Sequence, residues 1–172
     1  MNEKQVAWFL TGDAMGASMF PAVLADSLTV YFLEKGVDVH TRTKVTGIEA
    51  SGAKIKVTYE ASDGSTNSIE VDGVVAGIGV APNVELAEAA GIKTDDGILV
   101  DTYLETNMPN VYAAGDVTNY FQQSLDTRRR VEHEDNANAM GRHAGHMMAG
   151  RIDPWNYLPM FYSDLFDIGY EA

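Results

Sequence analysis

The spacing of apolar and polar residues in the first half of the chain predicts one helix and several strands. Apolar residues recur at helical spacing over residues 21–34, and Lys35-Gly36 is a typical helix end. Alternation with a period of two over residues 44–49, 54–60 and 68–71 predicts a three-stranded antiparallel meander. We also predict strands at three apolar segments: residues 5–10, 37–40 and 74–80, the last suited to a sheet centre.

The second half of the chain alternates short strand patterns with helical ones. We predict a short helix over residues 84–90 and strands over residues 98–100 and 111–114. A long helix is predicted over residues 132–150, followed by a loop and a further strand region from residue 161. The expected apolar positions of this helix are Ala137, Met140, Ala144, Met147 and Met148. This order of elements indicates the α/β class.

The run of residues 106–117, TNMPNVYAAGDV, contains the strongest candidate binding site. Proline restricts its own φ, so a turn is expected around Pro109. Gly115 lets the backbone approach a ligand closely, and Asp116 places a carboxylate at the carboxyl end of the predicted strand. Such a carboxylate suits a ribityl or ribose chain, although a helix cap is the alternative role.

Charge and composition narrow the function classes. A formal net charge of −13 argues against binding nucleic acid or an anionic membrane surface. No apolar run approaches the length of a membrane span. The chain has no cysteine, which excludes a disulfide or a thiolate metal site within these residues and fits a cytoplasmic location.

Five runs resemble one family, the FAD-dependent NAD(P)H oxidoreductases of the pyridine nucleotide oxidoreductase superfamily. Residues 106–117 resemble its second flavin-binding motif, and residues 72–83 resemble the strand and turn that close its NAD domain. Residues 128–135, 141–145 and 160–165 are most similar to the apoptosis-inducing-factor-like and ferredoxin-reductase-like branch. The resemblance implies that the complete protein uses FAD and NAD(P)H and passes electrons onward. A protein is one possible acceptor of those electrons.

The glycine-rich fingerprints of that family are absent from this chain. Its sixteen glycines nowhere form G-x-G-x-x-G. The implied fold is therefore a partial doubly wound FAD/NAD(P)-binding fold with a meander, lacking both N-terminal dinucleotide-binding βαβ units. Residues 1–96 would be the latter part of the NAD(P) domain, residues 97–152 the C-terminal part of the FAD domain, and residues 153–172 the start of an interface domain.

This gap leaves two functions open. The chain could be a fragment of a flavoprotein oxidoreductase, or a truncated or split module that binds no cofactor alone and serves assembly. Because strands 5–10 and 74–80 would each lack a neighbour, we expect a homo-oligomer, a domain-swapped dimer, a companion subunit, or partial order near residues 1–16.

The resemblance implies cofactor contacts at seven residues. Gly115 and Asp116 would contact FAD. Glu132 and His133 would approach the flavin ring, although an acid at a helix start can equally satisfy free amides. Tyr162 stands where related proteins place a tryptophan beside the isoalloxazine, although an aromatic residue at such a place is more often part of the core.

The other two expected contacts are on the nicotinamide nucleotide. Gly79 would let the backbone approach the nicotinamide, although a tight strand end before Pro82 also needs glycine. Asp13 would bind the adenine ribose, a place that Gly12 could equally take. No catalytic acid or nucleophile is expected from this chain.

Two clusters of basic residues could have either a structural or a functional role. His143 and His146 share a helical face, but helix-surface histidines are expected there and no metal site. The arginines at 128–130 could bind a phosphate or a redox partner, or could form internal ion pairs.

Overall fold

The computed structural model describes residues 4–171, which form two compact units. The first unit ends at Gly77 and the second begins at Ile78. The expected disorder near residues 1–16 includes residues 1–3, which lie outside the described part of the chain.

The first unit contains a parallel strand pair, a helix and an antiparallel meander. Strand β1 (Ala7–Phe9) pairs in parallel with β2 (Asp38–His40), and helix α1 (Ala22–Glu34) connects them. The meander consists of three strands in sequential order, β3 (Lys44–Ser51), β4 (Lys54–Glu60) and β5 (Thr66–Val71). The predicted helix, the two predicted strands and the meander are therefore confirmed, and the parallel pairing of β1 with β2 is a further finding.

Helix α1 buries a narrower face than its apolar residues predict. Ala25, Leu28 and Phe32 are buried at spacings of three and four residues, whereas Val23 and Leu24 are exposed. These spacings place the three buried residues on one face of the helix, so the exposed apolar residues lie on other faces. Val23 and Leu24 belong to the apolar pattern over residues 21–34 but lie outside this buried face.

The second unit combines a three-stranded sheet, two helices and a C-terminal hairpin. Strand β7 (Thr118–Gln122) lies between β6 (Ile98–Leu99), which is parallel to it, and β8 (Thr127–Arg129), which is antiparallel. The helices are α2 (Glu85–Ala89) and α3 (Glu134–Met148). The hairpin pairs β9 (Tyr162–Leu165) with β10 (Ile168–Glu171).

The core of the second unit forms where α3 and β7 meet the chain around Leu104 and Trp155. Helix α3 buries Met140, Ala144 and Met147 as expected, but Met148 is exposed. A polar residue in its first turn, Asn136, is fully buried. Strand β7 was not expected, because its sequence TNYFQ has no apolar alternation.

The segment at residues 74–80 corrects the prediction of a central, buried strand. It is not a strand, and Val75 and Ile78 are 99% and 93% exposed. No strand within residues 4–171 pairs with its backbone. A strand needs a neighbour to satisfy its amides and carbonyls, so an apolar sequence alone does not make one.

The segment at residues 111–114 also differs from the prediction, because it is extended without forming a strand. Its pairing is limited to one bridge between Tyr112 and Glu105. Two hydrogen bonds flank that bridge: the Thr106 amide donates to the Val111 carbonyl at 2.8 Å, and the Ala113 amide donates to the Leu104 carbonyl at 3.1 Å. The segment has this neighbour on one side alone among the described residues, and Val111 is exposed instead of buried.

Among residues 4–171, no helix combines the length and the apolar character that a membrane-spanning helix needs.

Candidate functional site

Gly115 places the end of the extended segment directly against helix α3. Its φ is +85°, and a Cβ at this position would lie 3.6 Å from the Cβ of Ala137. The Gly115 amide donates to Met140 Sδ at 3.2 Å. The positive φ therefore favours glycine, whereas a Cβ would make only an ordinary contact with the helix.

Asp116 follows on the surface with a carboxylate that is available to a ligand. The residue is exposed, and its carboxylate accepts no hydrogen bond from any described residue. Its carbonyl, in contrast, accepts a hydrogen bond from Arg130 Nη1 at 2.9 Å. The backbone is thus held while the side chain is left unpaired.

A groove of about 440 Å³ opens beside this carboxylate within the second unit. Asp116 and Arg130 contribute its charged groups, and the apolar wall includes Pro82, Leu86 and Ile98. An apolar wall with a few placed polar groups is typical of sites for organic ligands. The groove therefore suits an organic ligand with an apolar part and hydrogen-bond donors.

Arg130 connects three parts of the chain at the edge of this groove. Its Nε donates to Asp96 Oδ1 at 3.0 Å, and its Nη1 donates to Glu132 Oε1 at 2.7 Å as well as to the Asp116 carbonyl. Burial opposes the charge, but the hydrogen bonds to Asp96 and Glu132 outweigh it and raise the pKa of Arg130. Of the two readings of this basic run, internal ion pairing describes Arg130.

Glu132 and His133 lie immediately before α3, and each already has a partner. The Glu132 carboxylate accepts from Arg130, as described above. His133 is the N-cap residue of α3, with no hydrogen bond from its side chain to the helix. Its ring stacks on Phe161, with 4.5 Å between the centroids and 6° between the planes.

Tyr162 and Gly79 have accessible positions in the same unit. Tyr162 begins β9 and is 78% exposed, so its ring is not part of the core. Gly79 has a φ of +87°, and a Cβ there would meet no heavy atom within 4 Å. The backbone conformation thus favours glycine at this position. Because no heavy atom lies near, there is also space beside it for a ligand.

Asp13 belongs to the first unit, in the loop after β1. Its carboxylate forms an ion pair with Arg42 Nε, and both side chains are exposed. The Arg42 amide also donates to the Gly12 carbonyl at 2.9 Å. These contacts join the loop after β1 to the turn after β2, at the carboxyl ends of two parallel strands.

The histidines of α3 do not form a metal-binding group. The imidazole Nε2 of His143 lies 2.8 Å from the Asp153 carbonyl, and its ring packs edge-on against Trp155. Within the described residues, no group of three or more His, Asp and Glu side chains is arranged to hold a metal ion.

Sequence reasoning missed the turn that supports Arg130. Gly97 has a φ of +108°, and a Cβ there would lie 2.5 Å from Arg130 Cδ and 2.6 Å from the Val117 carbonyl oxygen. The available signal was the turn sequence Asp95-Asp96-Gly97 itself. Nothing in it indicated that an arginine 33 positions later would lie on the glycine.

Comparison with known proteins gives one family for most of the chain. The sequence model of the family described as pyridine nucleotide-disulphide oxidoreductase matches residues 3–141. Among curated relatives, putidaredoxin reductase from Pseudomonas putida is 37% identical over 136 residues, which are 79% of this chain and 32% of that protein. Mitochondrial apoptosis-inducing factor 1 from Dictyostelium discoideum is 34% identical over 162 residues, which are 91% of this chain and 30% of that protein.

Solved structures give the same result for the fold. A ferredoxin reductase from Rhodopseudomonas palustris has a TM-score of 0.86 and 30% identity, over 97% of this chain and 41% of that one. The mixed α/β architecture thus matches proteins of the FAD- and NAD(P)-binding type. The chain spans about a third of the length of the curated relatives it matches.

Proposed function

Because the chain belongs to the pyridine nucleotide-disulphide oxidoreductase family, we propose that the complete protein is a flavoprotein that passes electrons from NAD(P)H through FAD to an acceptor. FAD and NAD(P)H are the cofactors that this family membership implies. The expectation of the family and of its ferredoxin-reductase-like branch is confirmed by the relatives described above. The division at residues 96 and 152 remains our proposal for the domains.

The observation that carries the proposal is the unpaired carboxylate of Asp116 beside the groove. A carboxylate accepts hydrogen bonds and donates none when ionised, so it selects a ligand with hydroxyl groups. The ribityl chain of FAD has such groups, and the backbone at Gly115 permits a close approach. FAD supplies the hydride-accepting chemistry when bound, while the protein supplies binding and orientation.

Helix α3 contributes an electrostatic element next to Asp116. Its N-terminal amides carry the positive end of the helix dipole, which favours an electron-rich ligand group. His133 occupies the N-cap position without a side-chain hydrogen bond to the helix, and its ring stacks on Phe161. In the proposal, His133 and Tyr162 therefore flank the flavin ring, and Glu132 lies beside them.

Gly79 and Asp13 are the two contacts proposed for the nicotinamide nucleotide, each considered within its own unit. We propose that Gly79 provides backbone access for the nicotinamide and that Asp13 binds ribose hydroxyls. The Arg42 ion pair holds the Asp13 carboxylate in its loop, and the second carboxylate oxygen can still accept a hydrogen bond. No general acid or nucleophile is assigned, since hydride transfer between cofactors needs none from the protein.

The acceptor is proposed to be a small redox protein. A solved covalent complex of putidaredoxin reductase with putidaredoxin is 30% identical to this chain with a TM-score of 0.85. That complex concerns its own two proteins, and it supports the same class of acceptor here. The cysteine-free composition further supports a reducing compartment such as the cytoplasm.

The second candidate function is an assembly module. It is favoured by residues 74–80, whose exposed apolar side chains and unpaired backbone suit contact with another chain. A homo-oligomer, a domain-swapped dimer or a companion subunit would each provide that contact.

Substitution of Asp116 tests the proposed cofactor site. Asp116→Asn keeps the shape and removes the charge, so FAD affinity should fall roughly 10- to 100-fold, the effect of one hydrogen bond to a charged group. Asp126→Asn is the matched control, because Asp126 is exposed and has a left-handed backbone (φ +49°) that asparagine also adopts.

The measurement is fluorescence titration of FAD into both variants and the unaltered protein. Equal FAD affinity in Asp116→Asn and the unaltered protein would contradict the assigned site. No FAD binding by the unaltered protein would favour the assembly module.

A further inference from the structure

We propose that Arg130 is a positioning residue that fixes the Asp116 backbone and so leaves the Asp116 carboxylate unpaired for a ligand. The identity of that ligand as FAD rests on the proposed function, but the positioning itself does not. Arg130 contacts the carbonyl of Asp116 and not its carboxylate. The role is therefore indirect: Arg130 acts through another residue.

The Arg130 side chain has anchors on two sides. Arg130 is only 11% exposed and is held from two sides, by Asp96 at 3.0 Å and Glu132 at 2.7 Å. A guanidinium donates in a fixed planar fork, so two anchored positions determine where its remaining N–H groups point. The Asp116 carbonyl lies in one of those directions, 2.9 Å away.

Gly97 leaves the space that the Arg130 side chain occupies. The aliphatic stem of Arg130 lies over Gly97, where a Cβ would be 2.5 Å from Arg130 Cδ. A side chain at residue 97 would displace either the arginine or the Val117 carbonyl. The packing thus depends on glycine at position 97, which its φ of +108° also favours.

The turn at residues 95–97, which carries Asp96, is attached to the sheet. Asn119 Nδ2 in β7 donates to the Asp95 carbonyl at 2.6 Å, and the Ile98 amide donates to the Val117 carbonyl at 2.7 Å. The turn that carries Asp96 is therefore fixed to the same strand that follows Asp116. Arg130, which directly follows β8, donates to the Asp116 carbonyl and is itself anchored to this turn through Asp96.

A consequence concerns Glu132. The carboxylates of Glu132 and Asp96 carry two negative charges against the single positive charge of Arg130, so the guanidinium presents no net positive charge toward the groove. In this proposal Glu132 influences the ligand through Arg130, and Asp116 is the acidic group that meets the ligand directly.

The test is carbonyl NMR on the ¹³C,¹⁵N-labelled chain without flavin. In Arg130→Gln the ¹³C′ resonance of Asp116 should shift, and the Ile98 amide should exchange with solvent about tenfold faster, because a hydrogen bond to a charged group is lost. Arg129→Gln is the matched control, since Arg129 is exposed and has none of these anchors among the described residues. An unchanged Asp116 resonance in folded Arg130→Gln would overturn the proposal.

A second pair of variants keeps the test decisive if Arg130→Gln does not fold. Glu132→Gln retains the arginine and removes one exposed anchor, so it should shift the Asp116 ¹³C′ resonance in the same direction by less. Arg130→Lys keeps the charge but not the fork, and it should fail to restore that resonance. An unaltered Asp116 resonance in both variants would refute the positioning role.

The flavin arm separates this proposal from the proposed function. FAD titration should show weaker FAD affinity for Arg130→Lys than for Arg129→Lys. Asp116→Asn should weaken FAD affinity by a smaller factor in the Arg130→Lys background than in the unaltered protein. Fully additive effects would contradict the coupling. If the unaltered chain binds no FAD while its Asp116 resonance responds to Arg130, the proposed function fails and the positioning role stands.

Discussion

Strand β7 and the segment at residues 74–80 show opposite relations between sequence and burial. Strand β7 has the sequence TNYFQ, yet four of its five residues are buried and Tyr120 is 1% exposed. The segment at residues 74–80 has the sequence VVAGIGV and is exposed throughout. Strand β7 has a paired neighbour on each side, whereas residues 74–80 have none within the described chain. Backbone partners, more than side-chain hydropathy, decide which of the two is buried.

The polar side chains of β7 are tolerated inside because most of their hydrogen-bonding groups are matched. The Tyr120 hydroxyl donates to Gln122 Oε1 at 2.8 Å, and Gln122 Nε2 donates to the Tyr157 carbonyl at 3.2 Å. Buried polar groups are costly only when they lack partners. Polar residues in this strand therefore specify contacts that apolar residues could not make.

The largest effect is expected from truncating the centre of β7. Tyr120→Ala removes a buried ring that packs edge-on against Trp155, 6.3 Å away. We expect a loss of about 3–5 kcal/mol in the free energy of unfolding, the usual cost of deleting a buried aromatic side chain. Urea denaturation followed by tryptophan fluorescence measures it, and a loss below about 1 kcal/mol would mean that β7 is not the core strand.

A smaller and pH-dependent effect is expected from the Tyr120 hydroxyl. Tyr120→Phe removes the donor to Gln122 Oε1 and should cost about 1 kcal/mol at neutral pH. Burial raises the pKa of Tyr120 above its usual value of 10.0. A raised pKa stabilises the fold below the pKa of the unfolded state, and this contribution is lost as the pH rises toward the folded-state pKa.

The two proteins should therefore approach each other in stability above pH 10. Urea denaturation at neutral pH and above pH 10 measures the difference between Tyr120→Phe and the unaltered chain. A difference that stays constant or widens would show that the hydroxyl is not buried as described.

The smallest effect is expected at the exposed apolar segment. Val75→Ser should change the free energy of unfolding by less than about 0.5 kcal/mol, because surface substitutions without contacts rarely do more. It should also lower the fluorescence of a hydrophobic dye bound to the chain, since less apolar surface is exposed. A destabilisation above about 1 kcal/mol would show that residues 74–80 are covered in solution, as the oligomer proposal expects.

Local sequence signals were sufficient wherever an element depends on its own residues. The ends of α1 at Pro21 and Gly36, the meander turn around Gly64, and the short helix before Gly91 all follow from residue type. They were predictable because proline restricts φ and glycine permits positive φ, whatever surrounds them.

Non-local contacts account for what the sequence did not predict. Residues 74–80 and 111–114 have strand-like sequences but incomplete neighbours, and β7 is buried by its pairing with β6 and β8. At the candidate site, Asp116 and Gly115 were recognisable from the motif, whereas Arg130 acquires its role from Gly97 and Asp96. Such a role depends on contacts between distant segments, which one sequence does not reveal.

The most direct test of the account is the visible absorption spectrum of the protein after incubation with FAD and desalting, with and without NADH. We expect retained flavin absorbance that bleaches on addition of NADH, either for this chain or for a longer protein that contains it. Absence of retained flavin from both would contradict the assignment of the Asp116 groove as a flavin site.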